Sequence, residues 1–375
     1  MTQARQRHAR FYLEYARANP EDWQWFDAEW LQIKRAWDNV CEDDALVLDY
    51  IEAITDFMQT RGILQEVIEW TQRGLDAARV GKKKTTEALL FNEIGACYQM
   101  LGRHLQALEA YEKALRICRK VGDKSVEIRT VLNIGDNFYE SGDLEKSLET
   151  YQYALRLAQE IGELGTEAVA LNGIGLIFGL LGESEKALEA HIRALEIRRI
   201  QGDKRGQAAC LNNIGCRYAN TDNEAAKTYF EQALSLIREV GDRVQEASIL
   251  HNLAVVNREA GNLPEAIKCF EQAIAVAHEV GLSRLLATAL NSMGLIYHTL
   301  GQFDEALAVF ERAYGIARQT GYRIIEGVVA YNIGLVDDDL GDVINAQKFY
   351  RHALEIFRET HYSAGEQEVL IQIEK

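Results

Sequence analysis

Along almost the whole chain, apolar residues recur at spacings of three and four, the signature of amphipathic helices. The pattern is itself periodic. The pair Ile94-Gly95 returns as Ile134-Gly135, Ile174-Gly175, Ile214-Gly215, Leu253-Ala254, Met293-Gly294 and Ile333-Gly334, a period of 40 residues with one step of 39. The short step coincides with Thr221-Asp222-Asn223, where the turn of the fourth unit loses a residue. A fixed period of this length predicts a repeat array, each unit being one supersecondary element that buries its apolar face only by stacking on its neighbours.

Within each unit the pattern predicts two helices. An apolar-periodic segment such as residues 89–98 is followed by a glycine turn at Gly102, Gly142, Gly182, Gly261, Gly301 or Gly341. The second segment carries a small residue (Ala107, Ser147, Ala187, Ala226, Ala266, Ala306, Ala346). A ring stands four positions later (Tyr111, Tyr151, His191, Phe230, Phe270, Phe310, Tyr350) and an alanine three beyond that (Ala114, Ala154, Ala194, Ala233, Ala273, Ala313, Ala353). These spacings place all three on one helical face, where small residues admit close helix approach and the ring fills the space beside them. Each pair ends at a glycine (Gly122, Gly162, Gly202, Gly241, Gly281, Gly321), suited to a left-handed C′ position. Asp123, Asp203 and Asp242 follow and are placed to cap the next helix.

These columns resemble the tetratricopeptide repeat, over residues 84–361 and seven units. The resemblance implies an all-α fold, a right-handed superhelical solenoid of antiparallel helix pairs acting as a binding scaffold rather than an enzyme. Two features depart from the family pattern. The closing proline is absent, and the period is 40 rather than 34; longer helices ended by Gly-Asp account for both. The family's aromatic column reads Tyr98, Phe138, Phe178, Tyr218, Asn257, Tyr297, Asp337, so units five and seven lack the ring. Asp337, Asp338 and Asp339 are expected to be exposed near the end of the stack, because a lone buried carboxylate is costly. Gly62 lies 40 residues before Gly102, which makes residues 43–80 a degenerate helix pair. The expected organisation is therefore a Trp-rich helical cap or junction at 1–42, the degenerate pair at 43–80, seven units at 81–362, and a capping or cut helix at 363–375.

Four of the five tryptophans, Trp23, Trp25, Trp30 and Trp37, lie in the first 42 residues. One reading is an aromatic cap over the apolar end of the array. The other comes from resemblance. The stretches RHARFYLEYA, WFDAEWLQIKRAWDNV and RGILQEVIEWTQRGLDAAR are similar to the junction between the winged-helix part and the tetratricopeptide sensor of bacterial STAND signal-transduction ATPases. That resemblance implies a sensor arm, with an ATPase module as a covalent or non-covalent partner. The chain contains no G-x-x-x-x-G-K-[ST] segment, so no ATPase site of its own is expected.

Only two prolines, Pro20 and Pro264, interrupt the helical pattern. The formal charge of −16 disfavours nucleic acid and anionic membrane as partners of this chain alone. Its basic clusters, Arg5-Arg7-Arg10 and Lys82-Lys83-Lys84, read as solvated charge. No apolar run has the length of a membrane span, and MTQARQRHAR lacks the apolar core of a secretory signal. Cys41, Cys97, Cys118, Cys210, Cys216 and Cys269 form no CxxC pair and read as reduced thiols of a cytoplasmic protein. The eight histidines have no metal-ligand spacing, and His191, in the ring column, reads as a packing residue. GxSxG, HExxH, GxGxxG and EF-hand patterns are absent. No catalytic residue, cofactor or metal is expected.

The remaining signal is polar. Three residues before the register glycine stand Asn92, Leu132, Asn172, Asn212, His251, Asn291 and Tyr331. Two before it stand Glu93, Asn133, Gly173, Asn213, Asn252, Ser292 and Asn332. Asparagine is a poor helix-interior residue, so its recurrence in every unit needs a reason. In the resembled family these columns face a concave groove. The candidate peptide-binding residues are accordingly Asn92, Asn133, Asn172, Asn212, Asn213, His251, Asn252, Asn291, Tyr331 and Asn332. An amide offers donors and acceptors, so such a ladder can hold the backbone of a peptide of any sequence. The same side chains can instead bond between adjacent helices and set repeat stacking. The carboxylate clamp of chaperone-tail binders in this family is not matched: Asn92, Ala96, Asn133, Val169 and Gly173 stand where its lysines and arginine would be. The LNNIG-like first helices are similar to kinesin light chain, mitotic-spindle adaptor repeats and bacterial peptide-sensing regulators. Two functions follow as expectations: a peptide-binding scaffold, or a sensor arm or structural scaffold acting through its convex face and ends.

Overall fold

The computed structural model describes residues 3–20, 22–40, 43–219 and 221–374, with Gln3 and Trp23 described by their backbone alone. Met1, Cys41 and Lys375 lie outside the described residues. All regular structure among the described residues is α-helical, and the chain divides into two units, residues 1–190 and 191–375.

In the first unit, α1 (Gln3–Ala18) and α2 (Trp23–Val40) precede α3 (Asp44–Thr60) and α4 (Leu64–Val80), the predicted degenerate pair. Trp37 stacks on Trp70 of α4 at 4.2 Å between ring centroids, and Phe26 stacks on Phe57 at 4.8 Å. The Tyr50 hydroxyl donates to the Ala9 carbonyl at 2.6 Å. The aromatic segment thus extends the apolar core through α3 and α4. The repeats then begin with α5 (Lys84–Met100) and α6 (His104–Val121), followed by α7 (Lys124–Glu140), α8 (Leu144–Ile161) and α9 (Leu164–Leu180). The division falls within α10 (Ser184–Ile200). The second unit continues with α11 (Lys204–Tyr218), α12 (Asn223–Val240), α13 (Arg243–Glu259), α14 (Leu263–Glu279), α15 (Ser283–Thr299), α16 (Phe303–Thr320), α17 (Arg323–Asp339), α18 (Val343–Glu359) and α19 (Ser363–Ile373).

The helices pair as the columns require. The small, ring and alanine positions of the second helices are all buried. A Cβ added to Gly294 would lie 2.5 Å from the Phe310 ring, so glycine is what lets α16 lie so close to α15. The caps hold as well. Asp123 accepts from the Val126 amide at 3.1 Å, Asp203 from Gly206 at 2.9 Å and Asp242 from Gln245 at 3.0 Å. The short step of the period is taken up in α11, which has 15 residues where α13 has 17; Asn223 opens α12 rather than lying in the turn, and Asp222 caps it. Asp338 and Asp339 are exposed as expected, but Asp337 is half-buried, and burial pushes its carboxyl up.

Within each unit the first helices of successive pairs approach one another, α5 to α7 to α9 and α11 to α13 to α15 to α17, while no comparable approach is made among the second helices. The first helices therefore take the inner side of the curve in each unit.

Candidate functional site

The amide columns lie on these first helices. In the second unit the Asn252 side-chain amide donates to Asn212 Oδ1 at 2.9 Å, and that of Asn332 donates to Asn291 Oδ1 at 2.8 Å. Each bond joins one first helix to the next, some 40 residues away in sequence. Asn212, Asn213 and Asn252 are half-buried, whereas Asn332 is buried. The Asn212–Asn252 bond uses one acceptor and one donor. Among the described residues the amide group of Asn212 and the carbonyl of Asn252 have no partner. His251 sits edge-on to Phe270 at 5.5 Å, with Nδ1 buried and unbonded. Tyr331 packs against Tyr350 at 5.9 Å.

In the first unit the pattern is different. Asn92 is buried and donates to Thr130 Oγ1 of α7 at 3.0 Å, while its own Oδ1 is buried without a partner. It is a staple between α5 and α7, almost fully covered by its neighbours. Asn133 and Asn172 are half-buried on α7 and α9. Periodicity did not single out Thr130, because it is not an amide and stands outside the two columns.

Nor was a second feature of the first unit legible. Between α3 and α5, where the first helices do not approach closely, lies a cavity of about 360 Å³ lined by Leu48, Ile51, Leu89, Asp56, Glu93 and Arg129. Gln59 of α3 donates to Glu93 at 3.0 Å. Burial pushes the Glu93 carboxyl up, and neighbouring Asp56 adds to the effect. Glu93 occupies the second amide column, and that was the available signal. Its partner Gln59 lies in the degenerate pair, where the repeat register is weakest.

Burial also governs the groups that could do chemistry. His191 and His251 are both pushed down to about 4, first by burial and then by Arg217 and Arg258 respectively, so both are neutral near pH 7. The thiols of Cys97 and Cys210 are pushed up to about 11 by burial, which leaves them unreactive. No cluster of three or more His, Cys, Asp or Glu side chains among the described residues could hold a metal ion, and no helix among them is long and apolar enough to cross a membrane. What the inner face offers is hydrogen bonding by amides.

A tetratricopeptide-repeat family model matches residues 86–160, 166–239, 215–279, 245–319 and 285–359, well over half of the chain. No curated protein sequence matches it. Among solved structures, the chain is similar to a STAND signal-transduction ATPase with a tetratricopeptide-repeat sensor from Pyrococcus horikoshii, with 15% identity over 98% of this chain and a TM-score of 0.66; it spans 55% of that protein. It is similar to the Rap conjugation gene regulator of plasmid pLS20 in complex with the Phr* peptide, with 18% identity, a TM-score of 0.57, and coverage of 74% of this chain and 75% of that one. It is also similar to the quorum sensor NprR from B. thuringiensis, with 18% identity, a TM-score of 0.55, and coverage of 79% and 81%.

Proposed function

Because the chain belongs to the tetratricopeptide-repeat family, a family of helical-repeat scaffolds, we propose that it is a non-catalytic cytoplasmic binder that holds an extended peptide along its first-helix face. One observation carries the reading: the Asn252–Asn212 bond leaves one amide donor group and one amide carbonyl open on a half-buried surface. That pair complements the C=O and N–H of a peptide group, so it recognises backbone rather than side chains. Asn213 stands beside Asn212 on α11, and in the first unit Asn133 and Asn172 are half-buried in the same columns. The peptide-bound Rap relative makes a peptide the ligand class to test first.

The test is retention of the peptide fraction of a source-cell lysate by immobilised wild-type protein and by an Asn212→Ala/Asn213→Ala/Asn252→Ala variant, read by mass spectrometry. Circular dichroism controls for the fold. A peptide held by the wild type and lost by the variant supports the reading, and equal retention by both rejects it.

A second reading is that the chain is the sensor arm of a larger signalling ATPase. The likeness to the STAND protein favours it, because it runs through α1 and α2 ahead of the repeats. A nucleotide-binding module encoded in the same reading frame upstream of residue 1 is the result that this reading requires.

A further inference from the structure

A cleft of about 940 Å³ lies on the second-helix side of the second unit, between α16 and α18. Tyr314 and Phe349 meet edge to face within it at 6.2 Å, and Ile344 stands on its border, 85% exposed. Arg318, Lys348 and Arg351 surround these apolar groups, and all three are exposed. None of the three has an ion-pair partner among the described residues, whereas Arg323 and Arg358 nearby are both paired with glutamates. The one acid lining the cleft is Glu355. Three cations without an ion pair, against one acid, around an apolar cleft stand out on a chain of net charge −16.

Two departures from the repeat pattern fall together, one lining the cleft and the other next to it in sequence. Tyr314 stands in a column that is otherwise aliphatic, namely Leu115, Leu155, Leu195, Leu234, Ile274 and Leu354. The next residue, Gly315, lies inside α16, where glycine costs stability relative to alanine. No packing demands it, since a Cβ built there meets nothing within 4 Å. It lies three residues from Arg318, on the same helical face.

We propose that this cleft binds a short acidic segment of a protein partner. Its aliphatic or aromatic side chain seats against Tyr314, Phe349 and Ile344. Its carboxylates pair with Arg318, Lys348 and Arg351, and its backbone passes close over Gly315. The strongly negative chain repels an extended polyanion such as nucleic acid or an anionic bilayer at long range, whereas a short segment meets only the local positive charge. The site is separate from the first-helix face and does not depend on peptide binding there.

The experiment is selection from a random-peptide display library on immobilised wild-type protein, followed by fluorescence anisotropy of the labelled consensus peptide. The expected consensus combines Asp or Glu with Leu, Ile or Phe. It binds an Arg318→Glu/Lys348→Glu/Arg351→Glu variant at least about tenfold more weakly, and its affinity falls as salt rises. Gly315→Gln, which adds a side chain in open space and so keeps the fold, weakens the same peptide. Asn212→Ala/Asn252→Ala leaves its affinity unchanged. The proposal is overturned by a neutral or basic consensus, by equal binding to the charge-reversed variant, or by loss of binding in the asparagine variant. It is equally overturned if phosphatidylserine vesicles retain the wild type while no acidic peptide is enriched.

Discussion

The Asn252 side-chain amide donates to Asn212 Oδ1 at 2.9 Å and so ties α13 to α11 across one repeat. A bond of this kind between half-buried neutral groups contributes about 1 kcal/mol net. Asn212→Ala and Asn252→Ala should each cost about that much in urea unfolding. Because both remove the same bond, the double variant should cost scarcely more than either single one, a coupling of about 0.5–1 kcal/mol. Strictly additive losses would mean that the bond is not formed. The same series separates the two roles of the ladder, since stability reports the staple and peptide affinity reports the open amide groups.

Glu127 is buried to 2% exposure at the start of α7, where Arg119 Nε and Lys124 Nζ each donate to it at 2.8 Å. Arg79 and Glu87, and Arg238 and Glu246, repeat the arrangement, and Arg358 and half-exposed Glu366 keep its spacing, the arginine always eight residues before the glutamate. Burial alone would raise the Glu127 carboxyl, but the bonds from Lys124 and Arg119 overcome it and hold it below the usual carboxylate range. The cations are half-exposed and can rehydrate, whereas the carboxylate cannot. Glu127→Ala should therefore cost about 1–3 kcal/mol, the loss of charge-assisted bonds. Arg119→Ala/Lys124→Ala, which strands a buried charge, should cost more, about 3–5 kcal/mol. Urea midpoints in the reverse order would show that the carboxylate is hydrated.

The packing columns were legible because each one recurs in every unit and each has a single steric purpose. Ala107, Tyr111 and Ala114 need only helical spacing to be placed on one face. The polar residues were harder to place. Asn92 and Asn212 occupy the same column, yet one is buried against Thr130 and the other is half-buried with an open amide group. What separates them is the residue facing them on the next helix, which spacing within one helix cannot supply. The buried glutamates are not legible in the sequence, because charged residues default to the surface. Glu87, Glu127 and Glu246 are held by an arginine at the end of the preceding helix, a pairing visible only once both ends are placed. The cleft beside Tyr314 showed in the sequence only as one aromatic in an aliphatic column.

Lys82 and His361 occupy the column in which Gly122, Gly162, Gly202, Gly241, Gly281 and Gly321 close their helices, at the two ends of the array. They adopt the same left-handed backbone, with φ of 54° and 55° against 81° at Gly122. A side chain in that region costs about 1–2 kcal/mol, partly offset by the greater freedom of glycine in the unfolded chain. Lys82→Gly and His361→Gly should each stabilise by a few tenths to about 1 kcal/mol, and Gly122→Ala should destabilise by about 1 kcal/mol. Native-state hydrogen exchange of the amides in α5 and α19 reports the two gains locally. Faster exchange in the glycine variants would show that the lysine and histidine are held there by contacts worth more than the strain.

His191 takes the ring position that Phe230, Phe270 and Phe310 hold in later units, and it is buried to 1% exposure. Burial, with a smaller push from Arg217, lowers its proton affinity to about 4. The unfolded chain binds that proton near pH 6.5, so the unfolded state carries more protons between those values. The stability contributed by the neutral imidazole is complete above about pH 6.5 and is lost as pH falls toward 4. At pH 5 the loss amounts to about 2 kcal/mol. Phenylalanine keeps the ring and removes the titration. His191→Phe should therefore narrow the difference in unfolding free energy between pH 7 and pH 5 by about 2 kcal/mol. Urea titrations at the two pH values measure it, and the carboxylates, common to both proteins, cancel in the comparison. His251 supplies a parallel contribution that remains in the variant, so some pH dependence persists. If the variant keeps the full wild-type difference, the His191 ring accepts its proton without leaving the folded state.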